Sequence, residues 1–311
     1  MNDYKAMVKA YELAGGDSAS LQFPQVGSLV VERNRILSFH QVEGLIVEPE
    51  PTQRGIKAKI VVKKDYKIKN PVHLCFGVIP KEGIQEIIME IILEDNSYAK
   101  LLAHCTFPNA IRVRHIMQAD INIGRGAHLV YEEIHYHGLS GGIEVIPWAR
   151  ISIAPRGRLT NSFTLTKGKV GKLSLDYDVK VDKEGIAELV TRVYGKGKDK
   201  IEIVEKSSLD GENAKSLIKS RVVVIDEAQS KVIGETYGNA PEARGHVDCV
   251  EIVEGEAKAE AIPRVSVTDD QARVTHEAAI GRIDRRQLET LMARGLEESE
   301  AIDTVIKGIL K

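Results

Sequence analysis

Short runs of Val, Ile and Leu alternate with tight turns rich in Gly, Asp, Glu and Lys from about Val26 to Thr275. Val and Ile favour strands because branching at Cβ suits a pleated, half-buried surface. One segment, residues 81–93 (KEGIQEIIMEIIL), has the apolar spacing of a helix, but its β-branched content fits a strand equally well. The pattern therefore predicts a core built from short strands.

The second half of this region repeats with a nearly constant period. Small residues recur just after successive turns, at intervals of 30, 30, 27, 29 and 29 residues: Ala127, Gly157, Ala187, Ala214, Ala243 and Ala272. Ala99 extends this series backwards by 28 residues, and Ala228 and Ala257 form a second series midway between its members. Each repeat of about 29 residues thus holds two strands and two turns.

A repeat of this length without helices predicts a solenoid of strands. Ankyrin and TPR repeats contain helices, and propeller blades need about 40 residues or more. A β-sandwich has no reason to keep a constant period. We therefore expect an all-β core that forms a parallel β-helix, with coils stacked at roughly 4.8 Å and with Val, Ile and Ala filling its interior.

Helices are predicted only at the two ends of the chain. Asp3 can cap a short N-terminal helix, which Gly15 and Gly16 end. A second helix is predicted over residues 284–294 and a third over 297–310. The predicted organisation is a short helical segment, a β-helix core and a C-terminal two-helix segment, at residues 1–25, 26–280 and 281–311.

The C-terminal helices carry an apolar stripe. Such a stripe either caps the open end of a solenoid or docks a partner protein. The residues that we assign to partner docking lie on both predicted helices: Leu288, Leu291, Arg294, Ile302 and Val305.

Composition narrows the class of protein. Lys and Arg number 43 and Asp and Glu 45, and this balance argues against dedicated nucleic-acid binding. The apolar runs are far shorter than the roughly 20 residues of a membrane-spanning helix, and the first residues do not resemble a secretory signal. Three widely spaced cysteines do not form a disulfide framework, so we expect a cytoplasmic protein.

Two histidines in YEEIHYHG, His135 and His137, share one face of a predicted strand. With His128 and Glu133 they can form a metal site. The alternative is a polar, exposed face at the edge of a coil. The chain has no CxxC, HExxH or GxxxxGK[ST] pattern, so neither a closed zinc site nor ATP hydrolysis by this chain is expected.

The repeat places Cys249 close to His276. Cys249 lies six residues after Ala243, and His276 lies four residues after Ala272, one coil later. Both offsets are even, so the two side chains should point to one face, with Cα atoms roughly 8 Å apart. Glu277 supplies a carboxylate on the opposite face or at the turn.

The other two cysteines are less informative. Cys105 lies six residues after Ala99, which predicts that it shares a vertical column with Cys249. Any of these thiols can equally be inert core filler. Cys75 has no predicted role beyond packing.

Several short motifs lie close together near the C-terminus: Thr275-His276-Glu277-Ala278, Gly281-Arg282-Ile283-Asp284, Gln287-Leu288, and Arg294-Gly295-Leu296 followed by Glu300-Ala301. In combination they resemble the end of the SufB/SufD family of iron–sulfur cluster assembly proteins. Less specific stretches at residues 73–85 and 104–110 extend the resemblance to about Val26. The fold of that family is a right-handed parallel β-helix, in agreement with the repeat.

The resemblance implies a scaffold on which sulfur and iron become a nascent iron–sulfur cluster. In the family, two subunits pair through their β-helices and bind SufC, an ABC-type ATPase, through the C-terminal region. Cys249 matches a cluster or persulfide position of SufB, and His276 and Glu277 match its His-Glu pair. Cys105 matches a cysteine thought to take up sulfur. Thiolates suit iron and sulfur, whereas imidazole and carboxylate make a labile site.

The sequence departs from the family in two ways. Ordinary members carry a longer helical N-terminal domain, which is mostly absent here. A sulfur donor protein is an expected partner, but contacts with it that need that domain are not implied. SufD keeps the histidine but not the glutamate, whereas this chain has Cys249, His276 and Glu277 together. One chain can then do the work of both subunits as a homodimer, in place of a SufB–SufD heterodimer.

The leading hypothesis is a non-enzymatic scaffold for a transient iron–sulfur cluster, worked by a SufC-like ATPase. The alternative is a SufD-like regulatory subunit that stimulates the ATPase without holding a cluster. Flavin binding is left open. A polysaccharide-cleaving β-helix enzyme is not expected, because the sequence shows neither the Asp, Arg and Lys cluster nor the secretion signal of such enzymes.

Overall fold

The computed structural model describes residues 3–310, so residues 1, 2 and 311 of the predicted end segments lie outside it. Its helices are α1 (Asp3–Ala14), α2 (Arg285–Met292) and α3 (Glu298–Ile309), with a 3-10 turn at Ser20–Gln22. None of these described helices is long and apolar enough to cross a membrane. The strands of the first half are β1 (Ser28–Glu32), β2 (Arg35–His40), β3 (Leu45–Pro51), β4 (Gly55–Val62), β5 (Val72–Gly77), β6 (Glu82–Leu93), β7 (Tyr98–Phe107), β8 (Arg112–Ile123) and β9 (His128–His137). Those of the second half are β10 (Ile143–Ile153), β11 (Arg158–Lys167), β12 (Lys172–Val181), β13 (Ile186–Gly195), β14 (Lys200–Leu209), β15 (Lys215–Val224), β16 (Gln229–Gly238), β17 (Arg244–Val253), β18 (Lys258–Val267) and β19 (Arg273–Gly281).

The strands form two sheets that together make a parallel β-helix, as the repeat predicts. One sheet has ten strands in the order β19-β17-β15-β13-β11-β9-β7-β5-β1-β2, and the other has nine in the order β18-β16-β14-β12-β10-β8-β6-β4-β3. Within residues 3–310, only β1–β2 and β3–β4, at the N-terminal end, pair antiparallel. The segment 81–93 forms β6 because β4 and β8 pair with it on both sides.

Tight corners explain the period. At the corners that lead into β7 and the later strands of the ten-stranded sheet, one residue donates its N–H to the carbonyl oxygen three residues earlier and is buried or partly buried, so a small side chain fits there. These corner residues are spaced by 28 to 30 residues: Ser97, Ala127, Gly157, Gly185, Ala214, Ala243 and Ala272. Two of the sequence markers, Ala99 and Ala187, instead lie two residues further on, inside strands, opposite Leu129 and Leu159.

Helix α1 covers the outer face of the ten-stranded sheet near its N-terminal end. Met7 and Tyr11 are buried there against Val30 and Cys75. The Tyr11 hydroxyl lies 2.7 Å from Nδ1 of His73. The contacts of Cys75 are thus those of a packing residue beneath a helix.

Helices α2 and α3 lie against the side of the solenoid rather than over its open end. Tyr194, Val223 and Ile252 lie side by side on three neighbouring strands and form a separate apolar cluster with the tail residues Ile283, Ile306 and Leu310. The last coil, β18 and β19, is left largely exposed. The tail is therefore not a cap on the end of the β-helix.

Candidate functional site

Cys249 faces the interior of the β-helix, close to the open C-terminal end. Cys249 alternates with Val247 and Glu251 on the inward face of β17, and only 4% of its surface is exposed. Its direct neighbours are Ser220 on the coil below and Ala278 on the last coil. One coil therefore separates this thiol from the end of the solenoid.

His276 lies on that last coil and on the same face as Cys249. It pairs with Val247, the inward residue two positions before Cys249, which is the register expected from the repeat. His276 is exposed because no further coil covers β19. Glu277 pairs with Asp248 and so lies on the opposite, outer face. The structure brings Cys249 and His276 together and directs Glu277 away from them.

Carboxyl groups surround Cys249 on the inner side. Burial raises the pKa of the Cys249 thiol to about 12, and Glu251 and Glu205 add to the shift. Glu205 is fully buried and accepts hydrogen bonds from the hydroxyls of Thr191, at 2.7 Å, and Ser220, at 3.1 Å. Burial raises the pKa of Glu205 to about 7. The thiol therefore stays protonated until a metal ion or a base takes its proton.

Cys105 does not share the column of Cys249, so that prediction is wrong. Cys105 pairs with His135, whereas the column of Cys249 passes through Glu133, one inward position earlier. The error is two residues, because the marker Ala99 lies two residues beyond the corner residue of its coil. Cys105 is fully buried, and burial raises the pKa of its thiol far above the usual range.

His135 and His137 point into the interior, so the alternative of an exposed polar edge is wrong. Both are 1% exposed, and they lie beside Glu133 on the inward face of β9. Nε2 of His135 lies 2.7 Å from Glu133 Oε1, and its Nδ1 lies 3.3 Å from Nε2 of His137. His128 does not join them, because it is on the outer face with its ring against Tyr98. Cys105, rather than His128, lies with Glu133 and His135 in a group that could hold a metal ion.

Polar side chains continue from this group toward the open end. The hydroxyl of Tyr177 donates to Glu133 Oε2 at 3.2 Å, and Tyr177 pairs with Glu205 on the next strand of its sheet. Glu205 in turn accepts from Ser220, which pairs with Cys249. The interior thus holds a row of polar groups between the buried histidines and the thiol at the open end.

The residues assigned to docking divide into two sets. Leu288, Ile302 and Val305 are partly buried against the apolar cluster on the side of the sheet. Arg294 is exposed, and Leu291 lines a shallow groove between α2 and α3, to which Val305 also contributes. Another protein can therefore contact Arg294, Leu291 and the groove side of Val305 without displacing the tail.

Sequence reasoning missed Glu205, Tyr177 and His115 as members of the interior. Each of them is a residue with a polar group at an inward position of a strand. Tyr177 and His115 have apolar residues two positions before and after, whereas Glu205 has Ile203 before it and Ser207 after it. A polar residue in the inward alternation of a strand is the signal that could have found them.

This arrangement of a parallel β-helix, with a thiol and an imidazole at its open end, can be compared with known proteins. Residues 81–309 match the family model described as SUF system FeS cluster assembly, SufBD core domain. The chain therefore belongs to the SufBD family of iron–sulfur cluster assembly proteins.

Relatives of two lengths match this chain. An iron–sulfur cluster assembly SufBD family protein of Methanocaldococcus jannaschii is 45% identical over 283 residues, which cover 91% of this chain and 89% of that protein. One from Pyrococcus horikoshii is 34% identical over 310 residues, covering 100% of this chain and 94% of that protein. A second P. horikoshii relative is 28% identical over 258 residues, 81% of this chain but 56% of that longer protein.

Proposed function

We propose that this chain is a scaffold on which a nascent iron–sulfur cluster is built, with the cluster as cargo rather than as a resident cofactor. The observation that carries the proposal is the placement of Cys249 and His276 on one inward face at the exposed end of the β-helix. A thiolate and an imidazole bind iron, and an open end leaves further positions on iron for sulfide and for a receiving protein.

Each group at the open end has a definable task. Cys249 loses its proton when iron binds, because a metal ion replaces the proton of a coordinating thiol. His276 coordinates through a neutral ring nitrogen and, being exposed, exchanges more readily than a buried ligand. Glu277 lies on the outer face of β19, where it can bind iron only if a second protein brings its own ligands to that face.

Two features of the last coil support the proposal that two copies of the chain pair there and share a site. Val267 and Ile280 lie in columns whose preceding members face the interior, yet they are 47% and 50% exposed because the solenoid ends there. The strands β18 and β19 are also unpaired edges. Exposed core positions at a free edge are typical of an interface. A homodimer covering this end would bring two copies of Cys249 and His276 close together.

We also propose that an ABC-type ATPase docks on the C-terminal helices. The family resemblance supports this, and the structure leaves Leu291 and Arg294 available on α2 and just beyond it. Uptake of sulfur by Cys105 stays a prediction, and the burial of this thiol means that no donor protein reaches it unless a coil opens.

Anaerobic reconstitution with iron and sulfide tests the scaffold. Wild type should acquire a sulfide-to-iron charge-transfer spectrum, and Cys249→Ser should lose most of it. Cys75→Ser is the matched control, because this cysteine lies under α1 on the outer face. Identical, featureless spectra for wild type and Cys249→Ser would contradict the proposal.

A SufD-like regulator remains the second candidate, because Cys249 is buried and its thiol is protonated. The two functions differ in one combination of results. If Cys249→Ser still binds and stimulates the ATPase while wild type holds no cluster, the chain is a regulator.

Arg294→Glu should weaken ATPase binding in either case, and unchanged binding would place the docking surface elsewhere.

A further inference from the structure

A sealed group of metal-binding side chains lies inside the β-helix, away from the open end. The thiol sulfur of Cys105, a carboxylate oxygen of Glu133 and a ring nitrogen of His135 lie within 4.8 Å of one another, and all three residues are buried. We propose that these three side chains bind a divalent transition-metal ion of the zinc or iron(II) class. This assignment does not rest on the function proposed for Cys249, and it gives Cys105 a role other than sulfur uptake.

A chain of hydrogen bonds determines which nitrogen of His135 faces Glu133. The carbonyl of Lys169 can only accept, so Nδ1 of His137, 3.0 Å away, carries a hydrogen. Nε2 of His137 lies 3.3 Å from Nδ1 of His135, so His137 orients the ring of His135 through that nitrogen. The other ring nitrogen of His135, Nε2, is the one that faces Glu133, 2.7 Å from Oε1. An imidazole nitrogen and a carboxylate oxygen are therefore directed at one position, where both can bind a metal ion.

Polar groups without partners lie beside this position. His115 is fully buried, and neither of its ring nitrogens has a hydrogen-bond partner among residues 3–310. Its ring centroid lies 5.9 Å from that of His135. The buried hydroxyl of Tyr131, on the same strand as Glu133, is also unpartnered within the described chain. Buried polar groups are ordinarily hydrogen-bonded. A metal ion bound here, or a water molecule that it coordinates, would give the His115 ring and the Tyr131 hydroxyl a partner.

The charges and the outer contacts fit a divalent ion. Binding releases the Cys105 thiol proton, and the resulting thiolate and the Glu133 carboxylate together neutralise a 2+ charge in the interior. Tyr177 holds the second carboxylate oxygen of Glu133 at 3.2 Å, and His137 orients His135. Such outer contacts are typical of protein metal sites. The mixed sulfur, oxygen and nitrogen set favours zinc or iron(II) over calcium or magnesium, which prefer oxygen alone.

Cobalt(II) is the probe, because a thiolate ligand gives it an intense near-ultraviolet charge-transfer band. The full chain is produced in cobalt-supplemented medium, purified without oxygen and dialysed against EDTA. We expect wild type to keep about one cobalt per chain, because the site is sealed from the chelator. Cys105→Ser, Glu133→Gln and His135→Gln should each lower the retained cobalt by at least ~10-fold, and Cys105→Ser should also remove the band.

Matched controls separate this site from the open end. His128→Gln changes the outward histidine of the same strand, and Cys249→Ser removes the thiol at the open end; both should retain the metal. Circular dichroism checks that each variant keeps its strands. A wild-type chain without chelator-resistant cobalt overturns the assignment, and so does full cobalt retention in Cys105→Ser and His135→Gln. Loss of metal in Cys249→Ser alone would place the ion at the open end and equally overturn it.

Discussion

Glu205 shows how a single side chain can lie in an apolar wall. Its carboxyl group points into the interior from β14 and is fully buried. Two hydroxyls, from Thr191 and Ser220, donate to it, but they do not offset the loss of water, and its pKa rises to about 7. A large fraction of this carboxyl group therefore stays neutral at pH 7 in the folded chain, beside Ser220, the residue that pairs with Cys249.

The Glu205→Gln variant should reduce the pH dependence of stability. Between pH 4.5 and about 7, folded Glu205 binds more protons than unfolded Glu205, so wild-type stability falls as the pH rises through this window. The full difference corresponds to about 3 kcal/mol of unfolding free energy. Because glutamine does not ionise, the variant should gain stability relative to wild type at pH 8 compared with pH 5.

Guanidinium unfolding at the two pH values measures this effect. Glu202→Gln, at an exposed position of the same strand, is the control and should behave as wild type. Burial also raises the pKa of Glu251, with the same sign, so part of the pH dependence remains in the variant. Equal pH dependence in Glu205→Gln and wild type would show that Glu205 ionises freely in the folded state.

At the scale of elements, the C-terminal helices are held by their own contact with the sheet. Ile306 is 1% exposed and packs in the cluster that contains Tyr194, Val223 and Ile252. This cluster is separate from the interior core. The helices can therefore detach while the β-helix remains folded.

Ile306→Ala should loosen the tail without unfolding the coils. Removing most of a buried isoleucine side chain costs about 3 kcal/mol, a loss that falls on the tail contact alone. Hydrogen exchange should then show faster exchange at residues 285–310 and unchanged protection in β7 to β15. Lys307→Ala, at an exposed neighbouring position, serves as the control. Global loss of protection in Ile306→Ala would mean that the tail and the coils unfold as one unit.

At the scale of the whole molecule, the two ends of the solenoid differ. At the N-terminal end Ile36 of β2 and Val42 pack against the core, whereas the C-terminal end leaves core columns open to solvent. An exposed continuation of a core is unfavourable in water. This asymmetry is the structural reason for proposing that a second copy covers the end that carries Cys249.

Ile280→Asp should dissociate that dimer. The substitution puts a charge on the exposed last coil, near the end of β19, where pairing would bury it without a partner. Sedimentation velocity should report a dimer for wild type and a monomer for the variant. Leu139→Asp, which changes an 82% exposed leucine on a distant loop, should remain dimeric. A monomeric wild type at micromolar concentration would count against a homodimer.

The sequence correctly predicts the spacing of the turns and the register between strands on neighbouring coils. The turns recur at a constant interval because each coil must close on the same perimeter, so the register of His276 with Val247 follows from counting. The same counting fails for Cys105, because a marker displaced by two residues moves the whole column by one inward position. The alternation of residues along a strand determines whether a side chain faces inward or outward. The column in which that side chain lies depends on locating the corner residue of its coil.

By itself, then, the sequence determined the strand-rich solenoid, its period, the helices at both ends and the placement of His276 one coil away from Cys249 on the same face, because all of these depend on local pattern and on one-coil steps. Only the tertiary structure decided which side chains of the two sheets meet in the interior and where the C-terminal helices pack on the outer face. His135 and Tyr177 belong to different sheets and meet at Glu133 only because those sheets enclose one core. Ile306 packs on β13, β15 and β17 because an apolar patch on their outer face lies within reach of the tail.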